Sequence, residues 1–116
     1  MNHFKLLLSF SFLLIIATAC KKDCQLKSKY TYEPIVFDDN CNCIVSGKVK
    51  YLKDCQTVAL VDYGNGACDD IATKTICKDG KCEVSAGAYT EEFQIDCHAT
   101  ITDGPIDDAE AAQIGI

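Results

Sequence analysis

The chain contains no arginine, and its eleven lysines face seventeen acidic residues, for a formal net charge of −6. Nucleic-acid binding draws on a basic patch and favours arginine's bidentate fork, so nucleic acid is excluded as a partner. A surface this acidic does not dock on anionic lipid by charge alone. Histidine is nearly absent too, with only His3 and His98. There is no Gly-x-Ser-x-Gly elbow, no His-Glu-x-x-His helix and no phosphate loop. The sequence therefore reads as a protein without enzymatic activity and without a cofactor. Also missing is an apolar run of the about 20 residues that a bilayer-spanning helix needs. The longest, residues 6–19, has fourteen positions and includes two serines.

That short run has a specific order. Lys5 precedes it, residues 6–16 are almost wholly apolar, and the small residues Ala17, Thr18 and Ala19 lead into Cys20. A cationic start, a greasy middle and a small-residue cleavage site make a helical secretory signal peptide. Ala17-Thr18-Ala19-Cys20 further resembles the lipobox of bacterial lipoproteins, with Ala17 standing where leucine is more usual. The resemblance implies cleavage between Ala19 and Cys20 and a diacylglyceryl group, with palmitate-type chains, on the Cys20 sulfur. One acyl chain anchors only marginally at about 0.8 kcal/mol per buried methylene, whereas several together hold a protein to the bilayer. The implied partner is the membrane, through that lipid. The implied location is the cell envelope, outer membrane-anchored on its periplasmic side or at the surface, after Sec-type export. Cleavage at the same place without a lipid would leave the compartment unchanged.

Removing residues 1–19 leaves 97 of the 116 residues, one small domain, and a net charge of −7, since that stretch holds one lysine and no acid. Residues 20–29 are polar and lysine-rich and read as a lipidated tether. Short acid-containing tethers after a lipid cysteine resemble the surface-export signal of Bacteroidota-type lipoproteins, although Asp23 is the only acid here and Cys24 interrupts the pattern. Residues 30–102 read as a cysteine-rich β domain and residues 103–116 as a loose, acidic, flexible tail with at most a fraying helical turn at 108–113. With Cys20 assigned to lipid, eight of the nine cysteines remain: Cys24, Cys41, Cys43, Cys55, Cys68, Cys77, Cys82 and Cys97. An even number in an exported chain of this size is a disulfide framework, with too many pairings for most of the connectivity to be read.

Within the domain the hydrophobic period is two. Residues 30–37 form a strand that Pro34 restricts to an edge. Residues 41–51 place Cys41, Cys43, Val45, Gly47, Val49 and Tyr51 on one face, opposite Asn42, Ser46, Lys48 and Lys50. Residues 56–63, 71–77 and 81–85 continue the pattern. Residues 91–101 point Phe93, Ile95, Cys97, Ala99 and Ile101 inward. About six short strands predict a small, all-β, disulfide-stabilised antiparallel fold, either a sandwich or a barrel-like meander. A core of this size supplies only about 3–5 kcal/mol, so covalent staples are expected.

Four constellations are candidates for chemistry. Asp79-Gly80 is a two-residue hairpin signal, which makes Lys78 and Lys81 the hydrogen-bonded closing pair. Cys77 and Cys82 then face each other with Cα atoms about 4.5–5.5 Å apart, within reach of a disulfide. Cys41 and Cys43 point two sulfurs to one strand face, which suits either two disulfides to different partners or a soft-metal site for zinc or copper(I). Asp62, Asn65, Asp69 and Asp70 surround a glycine turn, an oxygen-rich arrangement open to calcium or simply solvated, though the EF-hand pattern fails. The run of residues 62–73 also resembles a strand-turn-strand motif of small Bacteroidota lipoproteins, a likeness that implies no activity. His98 sits beside Cys97 but on the outward side of its strand, as a solvated residue. Two functions stay open: a lipid-anchored envelope protein whose domain binds a protein or glycan or acts structurally, and a calcium- or soft-metal-binding envelope protein.

Overall fold

The computed structural model describes residues 26–116; the expected signal peptide, Cys20 and Cys24 lie outside them. Six strands form one antiparallel sheet: β1 (Ser28–Asp38), β2 (Cys43–Lys53), β3 (Gln56–Asn65), β4 (Ile71–Ile76), β5 (Tyr89–Gln94) and β6 (Gly104–Pro105). Their spatial order, β5-β4-β3-β2-β1-β6, is a meander whose last short strand returns beside the first. The fold is thus all-β and antiparallel, as the alternation predicts, and of the two expected arrangements, sandwich or barrel-like meander, it is a meander, built as a single sheet. A short helix, Asp108–Ile114, follows β6.

Alternation in the central strands decides which face is covered. Val49 and Tyr51 of β2 are buried while Lys48 and Lys50, which alternate with them, are not. The register carries the pattern across the sheet: Tyr51 pairs with Ala59, Ala59 with Ile76, and Val49 with Val61. Val49, Tyr51, Ala59, Val61, Ala72 and Ile114 form the core, with Ile35, Phe93, Ile95, Ile101 and Ile106 packed around it. The opposite face carries two cross-strand rows, Tyr30-Lys50-Leu60-Thr75-Thr90 and Glu33-Lys48-Asp62-Thr73-Glu92.

Pro34 has the consequence expected of a residue without an N–H. The β1–β2 ladder shifts register between Glu33 and Val36, and β6 pairs only with Ser28 and Lys29, which leaves this stretch at the sheet margin. Gly47 of β2 lies opposite that irregularity with φ +123°. A Cβ there would stand 2.8 Å from the Ile35 Cα and 2.9 Å from the Pro34 carbonyl oxygen, so only glycine lets the backbones approach.

Three expectations are corrected. Residues 81–85 are not a strand: after the single bridge between Lys78 and Lys81 the chain makes a 3-10 turn at Val84–Ala86. The reason is that β4 already has its partner, since Ile76 pairs with Tyr89 and the intervening hairpin is an excursion. Residues 91–101 are not one strand either. β5 ends at Gln94, opposite Ile71 where β4 begins, so no ladder remains to continue. Ile95 and Ile101 nevertheless pack on the core from irregular chain.

The third correction concerns residues 103–116, which are no loose tail. Gly104 and Pro105 pair with β1, and the helix beyond them buries Ala111 and Ile114. It is capped at both ends. Asp107 Oδ1 accepts the Glu110 N–H at 2.8 Å, and Gly115, in the left-handed region at φ 94°, donates its N–H to the Ala111 carbonyl. Lys29 pairs with Glu110, and Lys74 Nζ donates to the Ile114 carbonyl at 3.2 Å, which ties the helix to β1 and β4. The domain therefore runs from Ser28 to the C-terminal residues. Replacing Ile114 by alanine removes a core side chain, and equilibrium denaturation should show a loss of about 2–5 kcal/mol. A solvated tail residue would cost almost nothing.

Candidate functional site

Two disulfides gather the loops at one end of the sheet. Cys41–Cys68 joins the β1–β2 turn to the β3–β4 loop, and Cys43–Cys97 joins the start of β2 to the chain after β5. The third described disulfide, Cys77–Cys82, lies at the other end, with Cα atoms 4.3 Å apart. Lys78 and Lys81 exchange both backbone hydrogen bonds at 2.9 Å, and Asp79 and Gly80 both take positive φ, as a type I′ hairpin requires. Cys55 is also disulfide-bonded. Cys24 lies outside the described residues.

The Cys41/Cys43 metal reading meets this chemistry directly. Both sulfurs are in disulfides with different partners, so neither offers a thiolate. Among the described residues one group of three metal-ligating side chains converges, Asp38 with Cys41 and Cys68, and its two sulfurs are bonded to each other. Cys97 likewise gives His98 no thiolate to activate. His98 is exposed, its ring 5.7 Å from that of Phe37.

The acids of this end are turn-formers. Asp38 Oδ1 accepts the Asn40 N–H at 2.8 Å, Asp69 Oδ1 that of Ile71 at 3.3 Å, and Asp96 Oδ1 that of His98 at 3.0 Å. Asp70 Oδ2 accepts from the Gln94 side chain at 2.7 Å. Asp62 accepts from the Gly64 N–H and sits apart from them, in register with Lys48 on the open face. Asp62, Asn65 and Asp69 do line one groove, but Lys48 already stands in it, 3.4 Å from Glu33. The hydrogen bond to Glu33, then the charges of Glu33 and Asp62, raise the Lys48 pKa. A resident ammonium works against a calcium ion in the same groove.

Two surfaces remain on which a ligand could rest. On the open face Lys50 lies between two exposed tyrosines, 5.6 Å from the Tyr30 ring and 5.3 Å from Tyr32. On the covered face a cavity of about 450 Å³ is lined by Tyr51, Tyr63, Phe93, Ile101 and Ile114, with Glu110 and its partner Lys29 among its walls. Sequence reasoning missed this cavity because most of its wall comes from residues 95–114. A signal was present: Asp107-x-x-Glu110 before apolar residues and Gly115 after them is the punctuation of a capped helix.

The cavity walls perturb two phenols. Burial, then the neighbouring Tyr63 and Glu110, push the Tyr51 pKa far above its usual value. Burial and the Glu110 charge raise that of Tyr63. The site therefore offers two neutral phenol hydroxyls, an ion pair and apolar walls. Among the described residues no helix is long and apolar enough to cross a membrane. No protein-family model, curated protein or solved structure matches the chain.

Two measurements check these assignments. A phenol whose pKa is raised by folding contributes stability that is complete below its unfolded value and lost as pH rises. Stability should therefore decline above about pH 10, by about 1.4 kcal/mol per pH unit for each tyrosine so held. Tyr51→Phe should make that decline shallower in alkaline denaturation curves. For the disulfides, chain entropy assigns about 4 kcal/mol to Cys43–Cys97, which spans 54 residues, and about 2 kcal/mol to Cys77–Cys82, which spans 5. Paired alanine replacements should differ in denaturation midpoint in that order.

Proposed function

We propose that this chain is a lipid-anchored cell-envelope protein, held to the outer membrane through Cys20, whose β domain binds or scaffolds without chemistry of its own. The observation that carries the reading is the state of the sulfur. All seven described cysteines are in disulfides, six of them with one another. Such a framework forms and persists outside the reducing cytosol, where the order of residues 4–20 would send it. The odd total of nine leaves at least one sulfur outside the disulfides of a monomer, which suits a cysteine reserved for lipid. The cavity beneath the helix and the Tyr30-Lys50-Tyr32 surface are the places where a small molecule, protein or glycan would be held.

Replacing Cys20 by serine tests the anchor. The native protein should sediment with membranes and carry acyl mass on a mature chain that begins at residue 20, while Cys20→Ser should leave the membrane fraction. A Cys20→Ser protein that stays with the membrane, or a native protein with two or more free thiols, would refute the proposal.

A further inference from the structure

The two margins of the sheet are finished differently. Along β1 the outer edge is closed by three means. β6 pairs with Ser28 and Lys29, Asp103 Oδ1 accepts the Thr31 N–H at 2.7 Å, and Pro34 lacks an N–H within a stretch of shifted register. Along β5 none of these devices is present among the described residues. Tyr89–Gln94 holds no proline, glycine or lysine, pairs with β4 without a register shift, and ends the sheet. We propose that this β5 edge is a strand-capture site, which takes an extended segment of a partner protein with lysine and apolar residues in alternation.

The ladder fixes which backbone groups are available. Ile95 donates its N–H to the Asp70 carbonyl at 2.8 Å. Alternation then turns Glu91 and Phe93 towards β4, and Thr90, Glu92 and Gln94 away from it. The N–H and carbonyl groups of those last residues line the outer edge. The same alternation gives an added strand two faces of different chemistry. One set of its side chains would lie beside Glu92 on the open face, the other beside Tyr89 and Phe93 on the covered face. Tyr89 is 56 % exposed, so apolar side chains on that second face would cover ring surface now in water.

Charge selects the residues of the open face and disfavours a second copy of this chain. Residues 87–96 carry Glu91, Glu92 and Asp96 and no lysine. Next to them, Asp70 accepts from Gln94, while Lys74 is already held by the Ile114 carbonyl, Glu91 and the Phe93 ring. Lys48 shares a groove with Glu92 but stands 3.4 Å from Glu33. By the Tyr89 end, Lys78 and Lys81 are balanced by Asp79 and Glu83. Among the described residues no cation lies within ion-pair distance of Glu92. The outward backbone groups sit at even positions, so two β5 strands related by a two-fold axis must align even with even. Their two fullest registers put Glu91 opposite its own copy or Glu92 opposite its own copy, and like charges directly opposed are destabilising. A lysine opposite Glu92 reverses the sign of that term.

Strand capture gives the binding role of the proposed function a partner class; it rests on that role and not on the lipid anchor. The probe is a fluorescein-labelled hexapeptide of alternating lysine and valine, titrated by anisotropy against the oxidised full chain in detergent micelles. In an antiparallel register with lysine opposite Glu92, the lysine backbone N–H groups bond to β5 and those of valine face out. A hexapeptide N-methylated at its lysines should therefore bind about tenfold more weakly, while one N-methylated at its valines should bind like the parent. A hexapeptide of alternating glutamate and valine should also lose about tenfold, and Glu92→Gln about threefold at low salt. Glu92→Pro, which deletes an outward N–H and no bond to β4, should cost about tenfold with the melting temperature held. No binding of the parent peptide at about 1 mM overturns the proposal. So does equal binding of the two N-methylated peptides or of the lysine and glutamate peptides, and so does a native dimer that Glu92→Pro converts to monomer. The N-methylated pair decides the point even where Glu92→Pro fails to fold. Membrane fractionation of the same cells reads the anchor separately: a soluble chain that still discriminates between those peptides overturns the anchor alone, and a membrane-bound chain that does not overturns the capture site alone.

Discussion

The sheet buries one face only, and the side chains at its centre are small. Val49, Ala59, Val61 and Ala72 provide little volume, and Tyr51 is the one large buried residue among them. A single sheet with half its surface in water removes too little apolar area to offset the chain entropy of ordering it. Two devices make up the difference. The C-terminal helix lays Ala111 and Ile114 across the covered face, and disulfides shorten the unfolded chain's reach. The positions of the staples follow from the shape of the core. Packing holds the middle of the strands, while the ends, where the loops are polar, are held by sulfur.

That division explains which parts of the architecture could be read from residues alone. β2, β3 and β4 were legible because a half-buried strand imposes its own period, so Val49 and Tyr51 alternate with Lys48 and Lys50. The Cys77–Cys82 hairpin was legible because Asp79-Gly80 fixes the register over six residues. Cys41–Cys68 and Cys43–Cys97 were not, since each joins loops that only the finished meander brings together. Residues 95–101 alternate as a strand would, yet irregular chain lying over a core can present Ile95 and Ile101 at even spacing without a ladder partner. The last segment hid its role because two apolar contacts, Ala111 and Ile114, suffice to dock so short a helix.

The candidate site was legible in a different way. The acids of residues 62–70 stand out in the sequence as a cluster, and the fold disperses their work. Asp69 and Asp70 brace backbone and side-chain turns, while Asp62 faces Lys48 across the strand pair. Oxygen-rich loops of this kind can be structural because an aspartate two residues before a backbone N–H mimics a turn. The cavity near Glu110 needed the helix to exist before it could be seen. Its walls combine the two perturbed phenols, Tyr51 and Tyr63, with the Lys29–Glu110 ion pair.

The open face presents its surfaces in a fixed order from the hairpin end of the sheet to the end held by the two loop disulfides. The Tyr30-Lys50-Leu60 row comes first along the open face, and the charged Glu33-Lys48-Asp62-Glu92 row lies two residues further out. Beyond both stand the Asp-rich loops clamped by Cys41–Cys68 and Cys43–Cys97. The charge of the Asp-rich loops reaches beyond contact distance, whereas the tyrosines of the first row can act only at contact. Rigid cross-linking serves that order: loops held by sulfur lose little further entropy when something binds them, which is the physical advantage of a stapled end over a flexible one.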